Sequence, residues 1–467
     1  MRLLKLVGVL SLVTVLSTGC YKSENGENNP INLFDELPIY NEEKREISDK
    51  VKVIAGSADL TLPSNSIEVG KINEIDLNND KKDEIVFFEK REDIRNQVGF
   101  TVLDLKKNES NDTSYIKPGN KIEYANFYDL DKDGNKEIIL LIEDKSTVTL
   151  SICRYENGNI EELISNDNYN YFNKDNFTKL GVLVDDLDDD GNLELVVYNY
   201  NYKSKEMDLN VCAFKDDKIS ILDSLVFENI RNFEDIEISV GNISSKQKAL
   251  FLSLPDNEDT GFTTQVVYLE QKNLINAFKD MKVQMKNEYF IPFEDVNNDG
   301  ITNIPKIEQS SVTIDTLSTS TFPTSLIISW NKYNGKQDKD ADVIFVSQIY
   351  YNYEANFRFL IPNNLVGKLS IIEDTENKSG NYKVLNFYYN STNAYSETAP
   401  HDRKLLFTLN VTEKTIVDDT KNISKTGNNV YETDKYIFSV SDVNMAEMKK
   451  LDLNIEILKD YFSAIKE

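Results

Sequence analysis

Four short stretches of this chain set carboxylates and amides on alternate residues. Counted from the first residue of each, positions 1, 3, 5 and 9 are Asp76, Asn78, Asp80 and Glu84, then Asp129, Asp131, Asp133 and Glu137. The third stretch has Asp186, Asp188, Asp190 and Glu194, and the last has Asp295, Asn297, Asp299 and Asn303. Such side chains repel one another, yet a tight loop turns alternate residues toward one point, where a hard cation such as Ca²⁺ collects roughly six to eight oxygens. Gly134, Gly191 and Gly300 stand at position 6, where the chain must turn back through positive φ. The implied chemistry is the binding of two to four Ca²⁺ ions, each offsetting the repulsion within its loop and serving stability. An EF-hand is the weaker alternative, because it needs Glu at position 12 between two helices. Position 12 here is Phe87, Leu140, Val197 or Lys306, and strand-like sequence follows.

The loops sit in a repeating frame. They begin at Asp76, Asp129, Asp186 and Asp295, with a decayed copy at Asn242, so the spacings are 53, 57, 56 and 53 residues. The decayed copy has Ser244, Lys246 and Leu250 at ligand positions and is expected to bind nothing. Position 2 is apolar in all five copies (Leu77, Leu130, Leu187, Ile243 and Val296), a plug that pins each loop to a core. A strand-like run follows each loop, and another lies about 20 to 25 residues on, such as VTLSICRY and LNVCAFK. Three or four short strands per period of about 55 residues suggest propeller blades, whereas a β-solenoid uses shorter coils. The expected fold is therefore mainly β: a β-propeller-like repeat domain over 51–345 with five detectable repeats, followed by a smaller α+β domain over 346–467. In the tail Met445, Met448, Leu451, Ile455, Leu458 and Phe462 recur at helical spacing, and Asn444 is placed to cap an amphipathic helix.

The loops resemble the calcium hairpins of FG-GAP/VCBS repeats, found in integrin-α-type β-propellers. The second and third copies match Asp-x-[Asp/Asn]-x-Asp-Gly-x-x-[Asp/Glu] in full. The first departs at Lys81, where Gly is usual. The fifth ends in Asn303 and runs into Pro305, which implies a neutral ligand and a shortened strand. The literal Phe-Gly and Gly-Ala-Pro signatures are absent. The arrangement also looks like FG-GAP/VCBS-type lipoproteins of Firmicutes, a resemblance that implies a location and no activity.

The N-terminus points the same way. Arg2 and Lys5 precede an apolar run from Leu6 to Leu16, too short to span a bilayer. Ser17, Thr18 and Gly19 then lead to Cys20 in what resembles a lipobox, with Ser17 where Leu is most usual. Residues 1–19 are read as a signal peptide and 20–50 as a lipid-anchored tether. The expected location is extracytoplasmic, on the bacterial cell membrane through lipidated Cys20. A net charge of -27 repels nucleic acid. A single histidine, His401, in a polar loop, argues against imidazole catalysis or a multi-His metal site. Cys153 and Cys212 are expected to be buried free thiols and Trp330 a core aromatic. No catalytic residue is assigned. The expected function is a non-catalytic binding or adhesion module for a protein or glycan. The alternative is an extracellular carboxylate-dependent hydrolase or lyase acting on polysaccharide or peptide.

Overall fold

The computed structural model describes residues 42–64, 69–92, 96–104, 111–145, 147–165, 178–258, 261–281, 285–311, 323–336, 342–376, 381–395, 403–414 and 428–465. The signal segment, Cys20, most of the expected tether and His401 lie outside the described residues. The chain divides into two units, Met1–Ile54 and Ala55–Glu467. Within the stretch expected to be tether, Glu42–Ala55 is an α-helix. Its Lys, Glu and Arg content favours helix. Ile47, Val51 and Ile54 fall on one face, and Arg45 lies 3.9 Å from Asp49 one turn on.

The second unit is mainly β. Its described strands form six antiparallel sheets, none closed into a barrel. The second sheet is a meander of Lys121–Tyr128, Glu137–Asp144, Thr147–Glu156 and Asn159–Ser165. The third repeats it with Thr178–Asp185, Glu194–Asn201, Glu206–Lys215 and Lys218–Phe227. The first and fourth sheets follow the same plan over Asp59–Pro118 and Glu237–Asn287. Middle strands are apolar on both faces, as in Glu137–Asp144 and Glu194–Asn201, because each sheet is covered on both sides.

Successive sheets pack face to face through separate apolar cores, first on second, second on third and third on fourth. The position-2 plugs enter these cores in order. Leu77 joins the first, Leu130 the second and Leu187 the third, while Ile243 packs on the core between the fourth and fifth sheets. Cys153 and Cys212 are free and buried, and Trp330 is buried with its indole N–H donating to the Tyr351 hydroxyl at 3.1 Å.

Three expectations are corrected. No break falls at 345/346: that position lies inside the strand Val343–Asn352, which pairs with Ser325–Tyr333 on both sides of a bulge at Val346. The fifth sheet then takes its last strand, Phe462–Ala464, from the end of the chain, and Leu369–Ser441 supplies a sixth sheet within the same unit. The Asp-loop rhythm stops before the strand pairing does. Pro305 does not shorten its strand, which runs Ile304–Ser311 at the edge of the fifth sheet, where a missing N–H is tolerated. The tail is not one helix. Asn444 does cap Met445–Lys450 by accepting from the Glu447 N–H, but Asp452 then takes φ 51° and Asn454 caps a second short helix, Ile455–Lys459.

Candidate functional site

In the second and third sheets the Asp loop joins the leading strand to the next, and the plug fixes its base. Burying the plug also buries its backbone N–H, which needs an acceptor. Position 9, the first residue of the following strand in three loops, supplies it. Leu77 donates to Glu84 at 3.1 Å, Leu130 to Glu137 at 3.0 Å, Leu187 to Glu194 at 2.8 Å and Val296 to Asn303 at 3.0 Å. Position 9 is thus a structural cap whatever else it binds, a role its spacing alone does not reveal.

The turn geometry repeats as closely. The position-6 N–H donates to the position-1 carboxylate in every loop: Lys81 to Asp76, Gly134 to Asp129, Gly191 to Asp186 and Gly300 to Asp295. Position 6 has φ 69°, 93°, 83° and 81° in turn. Lys81 therefore holds the turn of the glycine it replaces, at a cost of about 1–2 kcal/mol.

Two loops gather three carboxylates. Asp129, Asp131 and Glu137 bring one oxygen each to within 4.8 Å of one another, and so do Asp186, Asp188 and Glu194. In both triads the Oδ1 of the first aspartate is buried without a hydrogen-bond partner. An orphaned anionic oxygen facing two further carboxylates suits a cation, so either triad can hold a metal ion. Asp133 and Asp190 stand outside the triads. Each accepts the backbone N–H two residues on, at 2.7 Å, so position 5 shapes the turn.

The other two loops differ. In the first, the Asn78 amide donates to Glu84 Oε1 at 3.1 Å, giving its second oxygen a neutral partner. Asp80 accepts from the Lys82 N–H. In the fifth, Asn303 spends its oxygen on the Val296 N–H and leaves Nδ2, a donor, buried and unpartnered. That amide presents N–H where the acidic loops present a second oxygen. Asn297 donates to Asp299, and Lys332 lies 3.7 Å from the same carboxylate. The decayed fourth copy is a plain hairpin closing at Ser244 and Gln247.

The two triads also differ from each other. Beside the second loop, Arg154 places Nη2 2.9 Å from Glu137 Oε1, 3.2 Å from Asp131 Oδ2 and 3.8 Å from Asp133 Oδ2. Burial raises Glu137 above the usual carboxylate range, while the Leu130 N–H and Arg154 pull it back. At the third loop, among the described residues, the one hydrogen bond to Glu194 comes from Leu187. Burial, against that bond and aided by the charges of Asp188, Asp190 and Asp186, pushes Glu194 up to about 7.

A cleft of about 520 Å³ opens where the leading strands of the second, third and fourth sheets meet. Glu123 and Glu143 are hydrogen-bonded within it. Lys121 lies 2.8 Å from Glu123 and 3.2 Å from Glu143, and Lys179 pairs with Glu143. Tyr198 and Phe233 stack on one wall, centroids 5.7 Å apart. Gly181 makes room for the Tyr198 ring, which a Cβ would meet at 2.1 Å. These groups carry no spaced motif, because three repeats contribute to them.

No family model matches the chain, and no curated protein matches it. Solved structures are distantly similar, among them the following three. A protein from Lactobacillus plantarum is 10% identical at a TM-score of 0.26, over 71% of this chain and 89% of that one. The complex of the fission yeast SREBP-SCAP binding domains is 12% identical at 0.28, over 95% and 98%. The rhamnogalacturonan lyase YesW is 12% identical at 0.28, over 74% and 76%. At these scores the likenesses transfer neither fold nor activity.

Proposed function

We propose that this is a surface lipoprotein, anchored through Cys20, whose sheets form a calcium-stabilised β-propeller of the FG-GAP/VCBS kind that serves as a non-catalytic binding module. The observation that carries the reading is the acidic triad of the third loop, with its orphaned carboxylate oxygen, in a loop geometry repeated at the matching place on the preceding sheet. Bound there, Ca²⁺ would neutralise the triad and lock the loop whose plug seals the core, a structural contribution that turns over no substrate. The cleft, with its aromatic wall and fixed charges, suits contact with a protein or glycan.

The carboxylate-hydrolase alternative draws on Glu123 and Glu143. Glycoside hydrolysis needs two carboxyls held roughly 5 Å or more apart. Here Lys121 lies against both carboxyls and Lys179 against Glu143, which favours the binding reading.

Thermal unfolding of the full chain in Ca²⁺, Mg²⁺ or chelator tests it. At about a hundredfold excess over its dissociation constant a native-state ligand adds roughly 2.7 kcal/mol, a rise of a few degrees in midpoint. Ca²⁺ should give that rise, Mg²⁺ should not, and Asp188→Ala should remove most of it. Identical midpoints in all three buffers would refute the calcium assignment.

A further inference from the structure

We propose that Arg154 is a built-in cation for the second Asp loop. The second and third loops share one motif yet differ in ion demand: the third takes a divalent cation from solution, whereas the second is neutralised from within. The inference rests on the calcium reading above and adds a residue that decides which loop needs the ion.

Strand register makes the comparison like for like. Position 9 of the second loop, Glu137, pairs across the sheet with Arg154, and position 9 of the third, Glu194, pairs with Ala213. The two strands have the same alternation of burial, each bulges at the same step before its cysteine, and Cys153 and Cys212 precede Arg154 and Ala213. Directly across from position 9 the sites therefore differ by one side chain in a common frame; within the loops they differ at position 4, Lys132 against Asp189, and at position 8, Lys136 against Leu193.

That side chain lies where a ligand-seeking cation would go. Arg154 is 12% exposed and its guanidinium reaches Glu137, Asp131 and Asp133 together. Glu137 is fully buried, so its charge needs a partner on the spot. Two bonds to one Glu137 oxygen, from Nε at 3.0 Å and Nη2 at 2.9 Å, hold the plane of the guanidinium. The remaining Nη1 lies 2.7 Å from Asp217, in the turn between Glu206–Lys215 and Lys218–Phe227 of the third sheet. A fourth carboxylate thus holds Arg154 in place from outside the loop.

A planar fork with five donors suits several carboxylates at once. It is also tethered to the chain, so it competes at an effective concentration near millimolar or above, whereas extracellular calcium modules bind at about 10⁻⁴ to 10⁻³ M. Calcium entering the second loop would have to break the contacts to Asp131 and Glu137 first. At the third loop, among the described residues, no cation is ion-paired to Asp186, Asp188 or Glu194; the nearby Lys132 and Lys272 act on Asp190, outside the triad.

Calcium titration of the full chain by calorimetry, with unfolding midpoints in chelator, tests the assignment through reciprocal variants. R154A should bind one equivalent more than wild type, lose a few degrees in chelator and recover them in calcium. A213R places the same cation beside the third loop and should bind one equivalent fewer. Because A213R leaves Arg154 untouched, it keeps the test alive if R154A does not fold. The inference is overturned if R154A and A213R bind as many ions as wild type with unchanged affinity. Should D131A then remove one wild-type equivalent, calcium binding stands and the role of Arg154 alone fails. Should no variant bind calcium, both fall together.

Discussion

The sheets that carry Asp loops and the sixth sheet, which carries none, are held by different means. Between the early sheets the cores are mostly aliphatic, as with Leu130, Ile139, Leu150 and Val197, though Phe88, Phe100 and Tyr155 join the first, and each is sealed at one end by a plug whose N–H is capped by a buried acid. The sixth sheet packs on the fifth through rings. Across the two sheets Phe359 lies 5.4 Å from Phe387 and Phe357 lies 5.0 Å from Phe438, while within the sixth sheet Phe387 stacks on Phe407 at 4.4 Å. Aromatic side chains bury about 150–250 Å² each, so such a core needs no ionic lock. An acidic loop makes stability depend on what cation reaches it, whether from solution or from an arginine. The ring-rich core carries no such loop, and its buried cation, Lys383, belongs to the chain itself.

Removing rings gives the largest effect and the sharpest contrast. Phe387→Ala deletes a fully buried ring touching Phe359, Tyr350 and Phe407, and should cost about 3–5 kcal/mol. Its loss of unfolding midpoint should be the same in calcium and in chelator. A penalty that grew with calcium would join the sixth sheet to the loops and dissolve the comparison.

Next in size is the third plug. Leu187→Ala should cost about 2–4 kcal/mol from lost burial. Here calcium should matter, because Glu194 fixes the Leu187 N–H and belongs to the triad. An unpinned loop binds its ion less well, so the penalty in calcium should exceed that in chelator. Equal penalties in both buffers would mean that plug and ion act independently.

The sequence carried the loops well and the frame less well. Alternate aspartates, plugs and position-6 glycines were all legible, because local turns are coded within nine residues. Even Lys81, a departure from motif, adopts the same φ as the glycines. Arg154 was not legible as a partner of Glu137. It lies 17 residues on, and its pairing depends on strand register that spacing does not declare. The sixth sheet reads as a separate domain in sequence because it lacks the loop, although its strand-like segments are visible. The helix Glu42–Ala55 was hidden by a charged composition that reads equally as tether, despite Ile47, Val51 and Ile54 on one face. Tail periodicity overran a boundary that Asp452 and Asn454 impose through turn chemistry.

The smallest expected effect separates the regions by pH. Burial would raise Glu143, but hydrogen bonds from Glu123, Lys179 and Lys121 outweigh it and hold the carboxyl at about 2, below its ordinary 4.5. A carboxylate depressed in the folded state stabilises above its unfolded value, and that stability drains as pH falls from about 4.5 toward 2. Glu123 opposes this, since burial and its bond to Glu143 raise it. The pair should therefore contribute on the order of 1 kcal/mol net. In the sixth sheet the buried ion pairs centre on Lys383, which burial would lower but Glu354 and Glu373 raise above 10.5. A raised lysine stabilises below its unfolded value and loses that contribution only as pH climbs through the folded one. Glu143→Gln should thus flatten the acid limb of a stability profile between pH 2 and about 4.5 and leave the alkaline limb untouched. An acid limb that survives the substitution unchanged would move the pH-sensitive lock away from the cleft, leaving the acidic loops as its remaining source.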